Sequence, residues 1–480
     1  MTATATEPTL VRHLIGGEWR GEPAGERRNP ARPDEVVAMI AGGSAEDALA
    51  AIEAAEQAFP AWRATAPMAR GAILARTSAL LEERKARIAR DLCAEEGKTL
   101  TEATGEVQRA ADIMRFFSGE GWRLKGDSLP SAVADTHLYT VKEPLGVVGL
   151  ITPWNFPIAI PTWKLAPALV SGNSVVIKPA SLVPLSVQHL AQALLDAGLP
   201  AGVLNVVQGS GGVVGEALLH DERIQAVSFT GSVGTGLHIN EVVSRRLARV
   251  QLEMGGKNAL VVLEDADPVF AAQVAAQGGF GLTGQACTAT SRVIATRAAH
   301  DRFVEALVAE ADSYRPADGQ AEGAKMGPVV DRSQLETDLS YLELGQQEGA
   351  ELVTGGESDD LFLRPAVFTG VTSQMRIATE EIFGPVIGVL EVSDLDEAIA
   401  LANDSSYGLS GGIVTNDLRA AMRFADEAEV GVVRVNRPTS GVDLNAPFGG
   451  VKSSSSATFR EQGLVAVDFY TRLKTVYLGY

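Results

Sequence analysis

Residues 174–207, SVVIKPASLVPLSVQHLAQALLDAGLPAGVLNVV, decide the fold class. The β-branched runs Ser174–Ile177 and Val203–Val207 open and close the stretch, each short enough to be a buried strand. Between them, PLSVQHLAQALLDAGLP has helical apolar spacing and stops at Gly198 and Pro200, as a helix should. Similar runs recur at Val147–Ile151, Ala226–Phe229 and Val250–Leu252. Strands alternating with helices imply βαβ units, hence a parallel sheet with helices on its faces.

Working outward, residues 45–120 read as helices, from SAEDALAAIEAAEQAFPAWRA to EVQRAADIMRFFSGEGW, with Glu46 and Asp47 near the start. Downstream a second α/β series follows: NALVVLED, PVFAAQVAAQGGFG, SRVIATR and HDRFVEALVAEADSY, resuming from PVIGVLEV to GVVRVN. KSSSSAT near Ser454 is the one low-complexity tract and reads as a surface loop. SAVADTHLYTVKEP (131–144) and the terminal VDFYTRLKTVYLGY look like strands with exposed apolar positions, an invitation to pair with another subunit.

The bulk numbers exclude several classes. A chain of 480 residues, 46% apolar, can bury large cores in two or three domains. A net charge of −19 argues against nucleic acid or an anionic membrane as partner. No stretch approaches the ~18 uninterrupted apolar residues of a membrane span. MTATATEPTLVRHLIGGEWRGEP lacks the apolar core of a secretory signal and reads as a tail entering a short hairpin. Two distant cysteines make no disulfide framework, so a reducing cytoplasm is expected. His13, His137, His189, His220, His238 and His300 are scattered without ligand spacing, so no metal is expected.

Single motifs carry little weight. Cys93, in ARIARDLCAEE, suits a buried small hydrophobe, whereas Cys287, in the polar GLTGQACTATSR, is a candidate nucleophile. GSGGVVG from Gly209 and GSVGTG from Gly231 only approach the GxGxxG fingerprint. GLSGG around Ser410 matches a hydrolase elbow by chance, because a strand-like GGIVT follows it.

The set carries more. ITPWNFP (151–157), IKPAS (177–181), FTGSVGTG (229–236), LEMGGKN (252–258), GQACTATSR, EEIFGPV (380–386) and PFGGVKSS (447–454) follow one another at characteristic separations. In this order the chain resembles the aldehyde dehydrogenase superfamily over nearly its whole length. The resemblance implies a Rossmann-like cofactor domain (1–123 and 144–252) and an α/β catalytic domain (253–462). A small β oligomerisation element (124–143 and 463–480) completes the expected architecture, with homodimers or homotetramers.

The resemblance also assigns residues. Cys287 becomes the nucleophile that forms a thiohemiacetal and then a thioester. The Asn155 amide and the Cys287 N–H hold the oxyanion, and Glu253 is the hydrolytic base. Lys178 holds the cofactor ribose and orders the site; Glu381 and Phe383 meet the nicotinamide ribose. Ser232 and Gly231 meet the pyrophosphate at a helix start. Thr152, Pro153, Trp154, Ser181 and Gly211 complete the cofactor-binding set. NADP or NAD is implied, with NADP slightly favoured because Ser181 stands where NAD-preferring relatives commonly carry a glutamate. The subfamily most resembled oxidises 2-oxoglutarate semialdehyde (2,5-dioxopentanoate). Trp163, Arg292, Arg437 and Ser440 are the candidate substrate contacts. Trp163 replaces an arginine found in some semialdehyde-oxidising relatives, which keeps an aromatic (benzaldehyde or vanillin type) or broad-range substrate in play. A CoA-acylating relative would lack Glu253, and a non-catalytic protein on the same fold could dispense with Cys287.

Overall fold

A computed structural model of the chain describes residues 8–456 and 458–480. Its first large sheet has the strand order Arg249–Glu253, Ile224–Thr230, Val147–Ile151, Ser174–Lys178, Leu204–Val206, His13–Ile15, Glu18–Arg20. The first five run parallel, and the last two form the N-terminal hairpin, joined antiparallel at Val206 and Leu14. The strand–helix–strand reading of 174–207 is realised as Ser174–Lys178, the helix Pro184–Asp196 and Leu204–Val206. Residues 1–7, the tail ahead of the hairpin, lie outside the described residues.

The helix Ala45–Ala64 packs on this sheet, and the helices Pro67–Glu96 and Leu100–Ser118 pack on each other and on the helices Ala159–Ser171 and Pro184–Asp196. Ser44 with Asp47, and Thr99 with Glu102, form capping boxes that fix where the first and third begin. Cys93 is buried in the core beneath them.

The second large sheet runs Glu351–Thr354, Ala366–Thr369, Val386–Val392, Thr290–Thr296, Asn258–Val262, Ser410–Val414, Val432–Val435, parallel except at its first pair. Ser410 lies inside a strand rather than on an elbow, and its hydroxyl donates to the Thr439 carbonyl at 2.7 Å. The first sheet offers the site its carboxyl ends, at Ile151, Lys178, Thr230 and Glu253. The second offers the segments that lead into its strands, Cys287 ahead of Thr290 and Glu381 ahead of Val386. Ligands in open α/β sheets gather beyond the carboxyl ends of the strands.

Two details need correction, while Thr471–Gly479 keeps an open outer edge in the sheet order Thr471–Gly479, Thr136–Pro144, Ser128–Leu129. The strands Thr136–Pro144 and Thr471–Gly479 pair antiparallel with each other along their full lengths, so one edge of each is satisfied within the chain. VDF at 467–469 belongs to a helical turn, and the strand starts only at Thr471. The serine run is not a surface loop throughout: Ser454 and Ser455 are buried, and Ser455 bridges Glu253. Ala457 of the same run lies outside the described residues. Among the described residues no helix is long and apolar enough to cross a membrane.

Candidate active site

A cavity of about 550 Å³ opens where the two sheets face each other. Its walls include Thr152, Pro153, Trp154 and Asn155 after the strand Val147–Ile151, then Lys178 and Ser181 after the next. Gly231 and Ser232 follow the strand Ile224–Thr230, and Cys287, Glu381 and Phe383 enter from the second sheet. Ser232 caps the helix Val233–Ser244, so free N–H groups and the helix dipole face the cavity.

Cys287 follows a left-handed run, Leu282 (φ 55), Thr283 (φ 57) and Gly284 (φ 68). Positive φ at two side-chain-bearing residues is strained backbone, held here by its neighbours. The Cys287 carbonyl accepts from the Asn258 amide at 2.8 Å. Close approach also demands glycine: a Cβ on Gly256 would lie 2.6 Å from the Cys287 carbonyl, and one on Gly255 would lie 2.0 Å from Glu381 Oε2. Burial, then the carboxylates Glu381 and Glu253, push the Cys287 thiol up to about 12. In this state it is a thiol and not a thiolate.

Asn155 Nδ2 donates to the Gln285 carbonyl at 3.0 Å. A side-chain amide has two N–H groups, so one remains for an oxyanion beside Cys287. Glu253 is 1% exposed and is not on the cavity wall. Its carboxyl accepts from Ser455 Oγ at 2.9 Å and Gly450 N at 3.3 Å. Burial and the nearby Glu461 raise it well above the usual carboxylate range. Behind it lies a buried polar chain: Lys164 pairs with Glu461 and donates to Ser228 Oγ at 2.8 Å, and Ser228 donates to Gln251 Oε1 at 2.9 Å.

The cavity carries hydrogen-bonding groups left over for a ligand. Thr152 Oγ1 and Thr230 Oγ1 are buried on its wall without partners among the described residues. The Lys178 ammonium donates to the Pro179 carbonyl at 2.8 Å, and burial lowers it to about 8. Glu381 accepts from Gly256 N at 2.9 Å, and burial raises it to about 7. Phe383, at φ 66, packs edge-on against Trp154 with ring centroids 5.3 Å apart. Hydroxyls, an ammonium, a carboxyl, an aromatic pair and a helix N-terminus fit a dinucleotide.

Other expected residues fall elsewhere. Gly211 begins the π-helical turn Gly211–Gly215, off the cavity wall. Arg292 is buried, and its guanidinium donates to the carbonyls of Lys257, Leu401 and Ala402 at 3.1, 3.3 and 3.2 Å. Three of its five N–H donors are thus held by backbone, and Arg292 is not on the wall of the cavity that holds Cys287. Trp163 packs on Phe448 with centroids 5.9 Å apart. Arg437 and Ser440 line a different cavity, of about 520 Å³, together with Gln277 and Arg434.

Sequence reasoning missed the buried partners. Glu461 and Lys164 sit in FREQG and TWKLAPAL, and a charge inside the apolar run of the latter was the available signal. Lys98, Glu102 and Glu106 gave none beyond the capping pair TLTE, because their partners lie far along the chain.

Two α/β sheets meet at one cavity that holds a thiol, a side-chain amide and groups suited to a dinucleotide, the arrangement of a nicotinamide-dependent oxidoreductase. The sequence matches the aldehyde dehydrogenase family over residues 19–476, and the chain belongs to that family. It is similar to the alpha-ketoglutarate semialdehyde dehydrogenase of Haloferax volcanii, at 49% identity covering 99% of this chain and 100% of the relative. It is 47% identical to the 2,5-dioxopentanoate dehydrogenase of Saccharolobus solfataricus, covering 94% and 95% of the two chains. Among solved structures, an NADP-dependent enzyme from E. coli superposes with a TM-score of 0.95 at 34% identity, covering 98% of both chains. An indole-3-acetaldehyde dehydrogenase in complex with NAD+ superposes at 0.94 with 35% identity, covering 98% of this chain and 96% of the other. The chain is an aldehyde-oxidising enzyme.

Proposed function

We propose that this enzyme oxidises a short aldehyde carrying a distal carboxylate, with 2-oxoglutarate semialdehyde the leading candidate, to the free acid using NADP or NAD. One observation carries the substrate reading. Thr439 Oγ1 donates to the Thr288 carbonyl at 2.8 Å, so the loop bearing Arg437 and Ser440 is tied to the residue after Cys287. Arg437, Arg434, Ser440 and Gln277 then offer a carboxylate several donors in the cavity that this loop lines. The names of the Haloferax and Saccharolobus relatives support the same reading.

The geometry and the family resemblance support the following roles. The Cys287 thiol passes its proton to solvent water as its sulfur attacks the aldehyde carbon, and the free Asn155 N–H and the Cys287 N–H receive the oxyanion. A bound nicotinamide would supply the acceptor for hydride from the substrate carbon. Lys178, Ser232, Glu381 and the Trp154–Phe383 pair hold the cofactor. Glu253, rotated away from Ser455 and Gly450, takes a proton from the water that attacks the thioester. A base must be ionised to act, and its raised pKa makes that step accelerate with rising pH.

Ser181 lies exposed at the cavity and donates to the Gly209 carbonyl at 3.1 Å. A neutral hydroxyl tolerates a 2′-phosphate that a carboxylate would repel, so NADP is accepted and NAD is not excluded. The edge strand Thr471–Gly479 exposes Leu473, Tyr477 and Leu478, which suits a homodimer or homotetramer, and the cytoplasm is the expected compartment. A kinetic panel read at 340 nm tests the whole: 2-oxoglutarate semialdehyde is expected to give the highest kcat/KM. If benzaldehyde or vanillin exceeds every carboxylated aldehyde, the aromatic reading replaces this one.

A further inference from the structure

The first turns of one helix grip both halves of the reaction centre. Lys98 is 2% exposed and precedes the helix Leu100–Ser118. Its ammonium donates to Glu106 Oε2 at 2.6 Å and to the backbone carbonyl of Asn155 at 2.8 Å, and it lies 4.8 Å from the centroid of the Phe156 ring. Glu106 turns its other oxygen to Ile158 N and Ala159 N at 3.0 and 3.1 Å, where the helix Ala159–Ser171 begins. The loop carrying Asn155 is thus held at both ends by one buried ion pair.

Glu102 holds the opposite half. One oxygen caps its own helix at Thr99, and the other accepts from Leu282 N at 2.8 Å. Leu282 starts the left-handed run that delivers Cys287. Glu102 and Glu106 are four residues apart, the spacing that puts both carboxylates on one helix face. Gly97, at φ 102, ends the preceding helix and turns the chain so that Lys98 faces inward.

A buried ion pair is poor evidence for stability, since well-packed apolar residues often serve as well or better. What an apolar pair could not supply is a donor aimed at the Asn155 carbonyl. We propose that Lys98, paired with Glu106, is a positioning residue for acylation, fixing the Asn155 peptide so that its side-chain amide meets the oxyanion on Cys287. The proposal rests on the reading of Asn155 as an oxyanion donor.

A double-mutant cycle on the full-length enzyme separates the two ideas. The readout is the rate constant of the pre-steady-state burst of reduced cofactor with a saturating aldehyde. Cofactor affinity and thermal midpoint are measured beside it. Lys98→Met is expected to slow the burst about tenfold, part of the roughly hundredfold that a full ångström of misplacement can cost, while cofactor affinity stays within about twofold. Lys98→Met/Glu96→Gln/Glu106→Gln removes the ammonium together with both buried carboxyls it faces, Glu106 at 2.6 Å and Glu96 at 3.9 Å, leaves no unpaired ion, and is expected to show the same slow burst with a normal melting profile. In an Asn155→Ala background, Lys98→Met should change the burst by less than about twofold, because there is no amide left to position.

A full, independent loss in the Asn155→Ala background would overturn the proposal. So would a wild-type burst in Lys98→Met, or loss of cofactor binding and stability in both Lys98 variants. If Asn155→Ala itself bursts like wild type, the oxyanion reading falls and this proposal falls with it. A slow Asn155→Ala beside an unimpaired Lys98→Met overturns the proposal alone.

Discussion

Asn155 and Gln285 are joined amide to carbonyl at 3.0 Å, a bond that ties the first sheet's loop to the turn two residues ahead of Cys287. The Cys287 turn and the Asn155 amide are therefore set relative to each other before any substrate arrives. Asn155→Asp keeps the volume but has no N–H for either the Gln285 carbonyl or the oxyanion. It is expected to lower the burst rate constant by about 10²–10³, the usual loss for one oxyanion donor. Unchanged cofactor affinity in the same variant would place the loss in the chemical step.

Burial is the chief reason that Cys287 and Cys93 are both held protonated up to about 12, with Glu381 and Glu253 adding to it at Cys287 and Asp318 and Glu96 at Cys93. Cys93 is buried in a helix core, whereas Cys287 lines the cavity beside Glu381 and Glu253. Cys287→Ala should abolish turnover, and Cys93→Ala should leave it near wild type. Iodoacetamide should label Cys287 first, faster as pH rises. Glu381→Gln removes the larger of the two carboxylate influences, so its labelling profile should move to lower pH, by on the order of one pH unit. Peptide mapping of the labelled enzyme checks both.

Cofactor choice turns on one exposed side chain. Ser181→Glu would set a carboxylate at the cavity rim. We expect kcat/KM for NADP to fall at least about tenfold while NAD is spared, because like charges exclude firmly. Equal effects on both cofactors would remove Ser181 from the argument.

The parallel sheets were legible because buried strands between amphipathic helices leave periodic marks on a sequence. Cys287, Asn155, Glu381 and Phe383 sit in motifs that occupy the turns at the strand ends, and turns have distinctive glycine, proline and asparagine content. Lys98 and Glu106 were invisible for a physical reason: a helix start records its own cap but not a carbonyl 57 residues away. The serine run misled because serine composition suggests solvent, yet two of its residues pack on Glu253 and the Gly255 carbonyl. Arg292 misled because an arginine five residues after the nucleophile alternates, along its strand, onto backbone carbonyls and away from the cavity.

Asp338 predicts a stability profile. It is fully buried, accepts from Gln334 Nε2 at 2.8 Å, and presses on Gly384, where a Cβ would meet its carboxyl at 2.3 Å. Burial raises it from 3.8 to about 8. A raised carboxyl pKa stabilises the fold fully below the unfolded value, and that contribution is lost as pH rises through the folded value. Asp338→Asn removes the ionisation. Its melting temperature relative to wild type should therefore climb from pH 5 to pH 8 and level off above it. The limiting slope is about one decade in the unfolding equilibrium for each pH step of one. Parallel profiles would show that Asp338 does not titrate in this window.

The substrate's charge is tested at the second cavity. A carboxylate entering a partly desolvated space needs a cation, and Arg437 is exposed at that cavity. Arg434 and Ser440 stand beside it, so the site offers a planar fork and a hydroxyl together. Arg437 acts on binding alone, since the reacting carbon lies at Cys287. Arg437→Ala should therefore raise KM for 2-oxoglutarate semialdehyde by one to two decades, the worth of a charged contact of roughly 1.5–3 kcal/mol. The kcat should hold, and KM for a neutral aldehyde of similar length should barely move. Arg437→Lys keeps the charge but not the fork and should fall between the two. If both aldehydes weaken equally, Arg437 shapes the loop and not the specificity, and Arg434 becomes the residue to change next.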